Sequence, residues 1–252
     1  MRILSIDSSL GTQLAVVDAA PSAAGARALR VLSQDEQADT RRHAESLGQM
    51  LSQALSAPEA AEHPLDAVVA ATGPAPFTGL RAGLVTAGVV GRTRGIPVHG
   101  VSSLDAVARR ALDELGSHEG QTGPVVLVAT DARRREVYTA LFRANGPDDV
   151  TRLTEIIVCP PAQVAQRLAE QAPGPGGGSG GIDVVAGSGA SLYPELAEMA
   201  SYQKALAPVS GDALAQVRIA LARLERGEEL STQPLYLRHA DVQMPAARKR
   251  VR

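Results

Sequence analysis

Two aspartates each close an apolar run. Asp7 ends RILSID (Arg2–Asp7) and is followed by Ser8, Ser9, Leu10 and Gly11. Asp131 ends VVLVATD (Val125–Asp131) and is followed by Ala132 and three arginines. A carboxylate at a strand end can hold a divalent cation, and a serine- and glycine-bearing turn can offer backbone amides to an anion. Asp7, Ser8, Ser9 and Gly11 form such a set. Asp131 lacks a following glycine, so its backbone cannot easily wrap a phosphate. A phosphotransferase also needs a general base beside the acceptor hydroxyl, and no motif identifies one. The preferred reading is that both aspartates accept hydrogen bonds from amides of their own turns; a vestigial nucleotide contact is the alternative. The histidines, at 43, 63, 99, 118 and 239, are scattered. No two stand four apart on a helix, the spacing that presents a pair of nitrogens to a metal.

The elements that must position these groups repeat. RILSID and TQLAVVD (Thr12–Asp18) predict a hairpin, and ARALRVLSQ (Ala26–Gln34) a third strand. HAESLGQMLSQAL (His43–Leu55) sets Leu47, Met50, Leu51, Ala54 and Leu55 on one helical face. DAVVAAT (Asp66–Thr72) is a buried-type strand, about Thr78–Arg94 a glycine-bearing helix, IPVHGV a strand, and Ser102–Leu115 a helix that Ser103 would cap. VVLVATD, REVYTALFR (Arg135–Arg143), RLTEIIV (Arg152–Val158), the helix AQVAQRLAEQ (Ala162–Gln171), the strand IDVVAGSG (Ile182–Gly189) and a long helix within Gly211–Gly227 repeat the order.

Two β-β-β-α-β-α units predict an α/β protein of two mixed-sheet subdomains. Their order resembles the duplicated ribonuclease-H-like fold of actin, Hsp70 and the sugar kinases. Residues 1–108 plus about 208–227 would form the first subdomain, 109–207 the second, and 228–252 a carboxyl tail. PGPGGGSGG (Pro173–Gly181) reads as a flexible insertion. It has no preceding strand and no Gly-Lys-Ser/Thr, so it is not a phosphate-binding loop.

Composition excludes several functions. The 252 residues carry a formal charge of −2, so no global basic field draws nucleic acid. Cys159 is the single cysteine, which rules out a disulfide framework and suits a cytoplasmic address. Neither a signal peptide nor a membrane span is expected. With two Phe, four Tyr and no Trp, the core must be Ala, Val, Leu and Ile. Arg133–Arg135 and the terminal Arg248, Lys249, Arg250 and Arg252 are charge runs. Such runs are solvated as a rule; contact of the terminal run with nucleic-acid phosphates is the other reading.

Gly79, Gly83, Ala87 and Gly91 recur every four residues along an otherwise apolar helix, and Gly88 lies in the same run. An interior glycine costs a helix roughly 1 kcal/mol relative to alanine. At that spacing the four form one stripe, which admits another backbone closely. Ala44, Gly48 and Ser52 make a parallel stripe on the preceding helix. Either the two helices pack on each other and on their own sheet, or the stripes receive another subunit.

GPAPFTGLRAG (Gly73–Gly83) resembles the GPGSFTGLRIG motif of the TsaB (YeaZ) family. The opening MRILSIDSS, HAESL at His43, GVSSLDAVA at Gly100–Ala108, TDARRREVY at Thr130–Tyr138 and PLYLR at Pro234–Arg238 follow that family in order. The similarity runs nearly the full length and is weakest over Pro147–Met199. The resemblance implies a non-catalytic subunit of the machinery that makes threonylcarbamoyladenosine in tRNA. In that machinery TsaD, a metal-bearing paralogue, transfers the threonylcarbamoyl group, and an ATPase, TsaE, joins the pair. ATP or ADP then belongs to the complex rather than to the isolated chain. TsaB-like chains bind TsaD, and in some cases form homodimers, through the two helices above.

Carried onto this chain, the implied interface is Ala44, Gly48, Leu51 and Ser52 with Phe77, Thr78, Gly79, Leu80, Gly83, Ala87 and Gly91. Phe77 either staples the helix start or anchors the interface, and Thr78 either caps the helix or joins that surface. TsaD looks like GVNHxxxH where this chain has GVSSLDAV, so the two histidine positions are Ser103 and Val107. Without that pair the resemblance implies no metal and neither transferase nor peptidase activity. An ATP-dependent phosphotransferase of the actin-like fold is the alternative.

Overall fold

The computed structural model describes residues 1–20, 26–38, 43–116, 123–171, 181–201, 205–206 and 212–237. The Pro173–Gly181 insertion, apart from Gly181, and the basic run of the carboxyl tail lie outside the described residues. In the first half, β1 (Arg2–Asp7), β2 (Thr12–Ala19) and β3 (Leu29–Gln37) lead into α1 (His43–Ser56) and the short α2 (Pro58–Ala61). Then come β4 (Ala67–Ala71), α3 (Phe77–Arg94), β5 (Val98–Val101) and α4 (Ser103–Glu114). The second half runs β6 (Val126–Asp131), β7 (Val137–Asn145), β8 (Asp149–Arg152) and β9 (Ile157–Cys159). A 3-10 turn at Pro161–Gln163 opens α5 (Val164–Gln171), followed by β10 (Val184–Ala186), α6 (Ser188–Leu192), α7 (Pro194–Ala197), β11 (Ala205–Leu206) and α8 (Ala213–Glu225).

The first sheet has the order β3-β2-β1-β4-β5 and the second β8-β7-β6-β10-β11, with β9 also paired to β7. Each half therefore places its first strand third in line, antiparallel to its second strand and parallel to the strand on its other side, β4 for β1 and β10 for β6. This is the expected duplicated ribonuclease-H-like arrangement. β1 is buried along its whole length, as a strand covered on both faces must be. Its Leu4 and Ile6 meet Leu47, Met50 and Ala87 from α1 and α3, and its Ile3 meets Val217 and Ile219 of α8. In the second half Val126, Val128 and Phe142 meet α4 on one face, while Leu127 and Leu141 meet α5 and α7 on the other. The layers run helix, sheet, helix, sheet, helix, with α8 and α4 in the middle.

Three expectations shift. The subdomain boundary at 108 falls inside α4, whose Leu104, Val107, Ala108 and Leu112 belong to the core of the second sheet. The strand expected over Arg152–Val158 is two strands, β8 and β9, separated by an irregular stretch. Neither α3 nor α4 is capped where expected: Pro76 and Ser102 hold the cap positions, and neither Thr78 nor Ser103 does. Among the described residues no helix is long and apolar enough to cross a membrane.

Candidate functional site

α3 lies on the first sheet through its glycines. A Cβ on Gly83 would collide with Ser8, and one on Gly91 with Val98 of β5. Ser8 donates its hydroxyl to the carbonyl oxygen of Gly79 at 2.8 Å. Gly79, Leu80, Gly83, Ala87 and Gly91 are all buried within the chain. The stripe read as a partner surface therefore faces inward. Its small size brings the helix axis close to the strand ends, and none of these five residues is a surface contact.

The opposite faces carry the exposed residues. On α3, Phe77, Thr78, Arg81, Val85, Gly88 and Val89 are open. Phe77 is 47% exposed, Val85 56% and Val89 55%. On α1, Leu47, Met50 and Ala54 are buried, Leu51 is half-buried, and Gly48 and Ser52 are exposed. The side chain of Ala44 lies outside the described residues. Gly48 and Gly88 would meet nothing within 4 Å if they carried a Cβ. The glycines thus fall into two groups, one required by the chain's own packing and one without any internal reason.

The segment after α8 reaches this face. Gly100 donates its N–H to Leu230 O at 3.2 Å, and a Cβ there would collide with Ser231. Leu235 donates to Thr72 O at 2.8 Å. Tyr236 then lays its ring against Phe77, centroids 5.0 Å apart, with the Arg81 guanidinium 5.6 Å from the Phe77 ring. Phe77, Arg81, Val85, Thr232, Pro234 and Tyr236 line an open groove of about 430 Å³. Nothing in the spacing of PLYLR announced that Tyr236 joins this patch; only its motif set it apart.

The strand ends meet between the halves. Asp7 is buried; its carboxylate accepts from Ser9 N at 2.8 Å and from Gln216 Nε2 at 2.6 Å. Burial pushes the Asp7 carboxyl above its ordinary range, against the pull of the Ser9 and Gln216 hydrogen bonds. Asp131 repeats the turn, accepting from Arg133 N at 2.8 Å, and its own N–H donates to Ser188 Oγ at 3.0 Å. Both aspartates cap their turns, and the Ser8 hydroxyl and Ser9 amide of the anion set point at protein partners. Gly11, at φ +73°, makes the first turn possible. The second turn puts Arg133, Arg134 and Arg135 at φ of 63°, 56° and 60°, a left-handed stretch costing roughly 1 kcal/mol or more per non-glycine residue.

A cavity of about 10 Å³, the room of one water, lies among Ser9, Pro74, Pro76, Ser103, Thr130 and Asp131. Ser103 and Val107 are buried, Val107 in the core of the second half. A hydroxyl and an isopropyl group do not form a transition-metal donor set. Among the described residues no three His, Cys, Asp or Glu side chains converge.

A charge lattice holds the halves at the α4–α8 junction. Arg109, fully buried, bonds Asp113 and the carbonyls of Gly146 and Asp149. Arg218 bridges Asp113 and Asp148. Arg223 bridges Asp105 and Asp149, at 2.8 and 2.9 Å, and Arg226 also reaches Asp149. The carboxylates hold the Arg218 and Arg223 guanidinium groups above their ordinary range, outweighing the opposing and larger single effect of burial.

Two sheets of one strand order, with an aspartate capping the turn after each first strand, define a member of the actin, Hsp70 and sugar-kinase fold class. The model of the TsaD family, tRNA N6-adenosine threonylcarbamoyltransferase, matches residues 30–172, more than half of the chain. An uncharacterised Pseudomonas aeruginosa protein with similarity to the peptidase YeaZ shares the fold at a TM-score of 0.68 and 25% identity, over 94% of this chain and 99% of that one. The chain belongs to this family of tRNA threonylcarbamoyladenosine biosynthesis, on its TsaB (YeaZ) branch. An uncharacterised Mycobacterium tuberculosis protein is 42% identical over 146 residues, 55% of this chain and 64% of its own length. One from Mycobacterium leprae is 41% identical over 140 residues, 56% of this chain and 36% of its own length. The chain thus spans under two thirds of the curated relatives it matches.

Proposed function

We propose that the chain is a non-catalytic subunit that docks a TsaD transferase through the exposed faces of α1 and α3. The observation that carries this reading is the apolar surface of α3, where Phe77, Val85 and Val89 stand open beside Gly48 and Gly88. An apolar face left bare on a helix marks a contact surface, and glycines without internal neighbours allow a partner's backbone to come close. The metal, the transfer chemistry and any nucleotide then belong to TsaD and a TsaE-type ATPase. The positions of the histidine pair are Ser103 and Val107 here, which supports a silent subunit over a transferase or a peptidase.

A phosphotransferase reading fits less well. Both Asp7 oxygens are engaged by protein donors, and the adjoining cavity of about 10 Å³ admits no nucleotide. The test is co-purification with TsaD of wild type and of Val85→Glu/Val89→Glu. Both positions are exposed, so the fold should survive while the complex is lost. Full retention of TsaD by the doubly charged variant would overturn the docking face. Threonylcarbamoylation of tRNA by the chain alone would overturn the silent role.

A further inference from the structure

The two hairpin turns that follow β1 and β6 solve one geometric problem with different residues. The first places Gly11 at φ +73°; the second places Arg133, Arg134 and Arg135 in the left-handed region in succession. Glycine adopts that region freely and arginine does not, so a turn needed only for connection has no use for three arginines. The strain is held in place. Asp131 accepts the Arg133 amide at 2.8 Å and pairs with its guanidinium at 3.1 Å. Ala132 N donates to Glu136 O at 2.9 Å and Glu136 N to Arg133 O at 3.1 Å. Arg133 is thereby the anchor, and Arg134 and Arg135 stand exposed at the tip.

We propose that Arg134 and Arg135 contact the phosphate backbone of an RNA, by charge and without reading bases. The shared chemistry is a phosphate group, which a nucleotide also offers. A nucleotide needs an enclosing pocket for its base and ribose, and the cavity beside Asp131 is about 10 Å³. A projecting tip suits an extended polyanion instead, whose binding is governed by counterion release. Pro76, the cap of α3, lines that same cavity with Thr130 and Asp131, so the turn that carries the tip starts beside the N-terminal end of α3. The choice of RNA rests on the reading of the chain as a subunit of a tRNA-modifying complex.

The test uses the full chain and an unmodified tRNA transcript, with affinity measured by fluorescence anisotropy over a series of salt concentrations. Arg134→Gly/Arg135→Gly removes the charge while relieving the backbone, so the variant should melt at or above the wild-type temperature. Its tRNA affinity should fall roughly 10-fold at low salt, and the log–log salt dependence should become shallower by about 1.5, the loss of two phosphate contacts. Arg134→Lys/Arg135→Lys should keep the wild-type slope. The basic tail is present in every variant, so the difference reads the tip. Unchanged tRNA affinity in the glycine variant overturns the proposal, as does wild type that binds no tRNA. Loss of ATP binding without loss of tRNA binding assigns the tip to a nucleotide and overturns it too. Co-purification with TsaD should be unaffected by either double variant, so failure of the docking reading is scored separately.

Discussion

The Oγ of Ser8 lies 2.8 Å from the carbonyl oxygen of Gly79 and fills the place a Cβ on Gly83 would take. A strand end and a helix are thus in contact through one hydroxyl and two glycines. This contact decides which face of α3 is inside. It also turns the most conspicuous pattern in the sequence, the four-residue small stripe, into an internal packing device.

Substitution at the two kinds of glycine should therefore act in opposite directions. Gly83→Ala and Gly91→Ala press a methyl into Ser8 and Val98 and should destabilise the chain by about 1–3 kcal/mol. Gly48→Ala and Gly88→Ala meet open space and should stabilise it by up to about 1 kcal/mol each, a rise of roughly 2–4 °C in melting temperature. Thermal unfolding of the four variants checks the assignment of faces; stabilisation by Gly83→Ala would reverse it. Gly83→Leu should not fold, and is no probe of partner binding.

Why the sequence misled here is physical. A run of small residues at helical spacing says that something comes close, but not what. The sheet and a second protein leave the same mark. The succession of strands and helices along the chain, by contrast, was legible, because hydrophobic runs of strand length alternate with helical periods in both halves, and the first strand of each half ends at an aspartate, Asp7 or Asp131. Short elements such as α6, α7 and β11 were not legible, since two to five residues carry no periodicity. The arginine–aspartate lattice also went unread. Its members, from Asp105 to Arg226, are spread over α4, β8, α8 and the turns beside the last two, and charge alone says nothing of burial. The Asp148–Asp149 pair and the arginines at 218, 223 and 226 were the available signals.

That lattice should dominate the stability of the junction between the halves. Asp149 is buried and holds Arg223 and Arg226. Asp149→Ala takes one of two carboxylate partners from each guanidinium, leaving Arg223 with Asp105 and Arg226 with Glu228; removing one partner of a buried ion pair costs about 3–5 kcal/mol, and the remaining partners should hold the loss near the low end of that range. Chemical denaturation should show that loss. Arg110→Ala, which breaks half-exposed pairs with Glu114 and Asp212, should cost about 1 kcal/mol or less. Equal effects of the two substitutions would mean that the lattice is solvated.

The docking face should also govern self-association. If two copies meet through α1 and α3, Val85→Glu/Val89→Glu places four carboxylates in one contact, and the measured mass should fall to that of a monomer. If wild type is already a monomer, the variant should elute with it. A dimer that survives the variant would locate the contact elsewhere.

The buried Asp7 gives a pH dependence with a definite sign. Its carboxyl is held above the ordinary range by burial, so the folded state binds the proton more tightly than the unfolded one. Below the unfolded pKa both states are protonated, and the group's favourable contribution is complete. As pH rises from there through the elevated folded pKa, the unfolded state releases its proton first and that contribution is lost. Asp7→Asn mimics the protonated form. Its side-chain oxygen still accepts from Ser9 N, and Gln216 can turn its amide to accept from the new NH2, donating instead to Ser5, which lies 3.3 Å away. The variant should match wild type in acid and become progressively more stable relative to it towards neutral pH. Unfolding free energies of the two proteins measured between about pH 3 and 7 check this. A constant difference across that range would show that Asp7 carries its charge at no cost, with the cleft between the halves open to water.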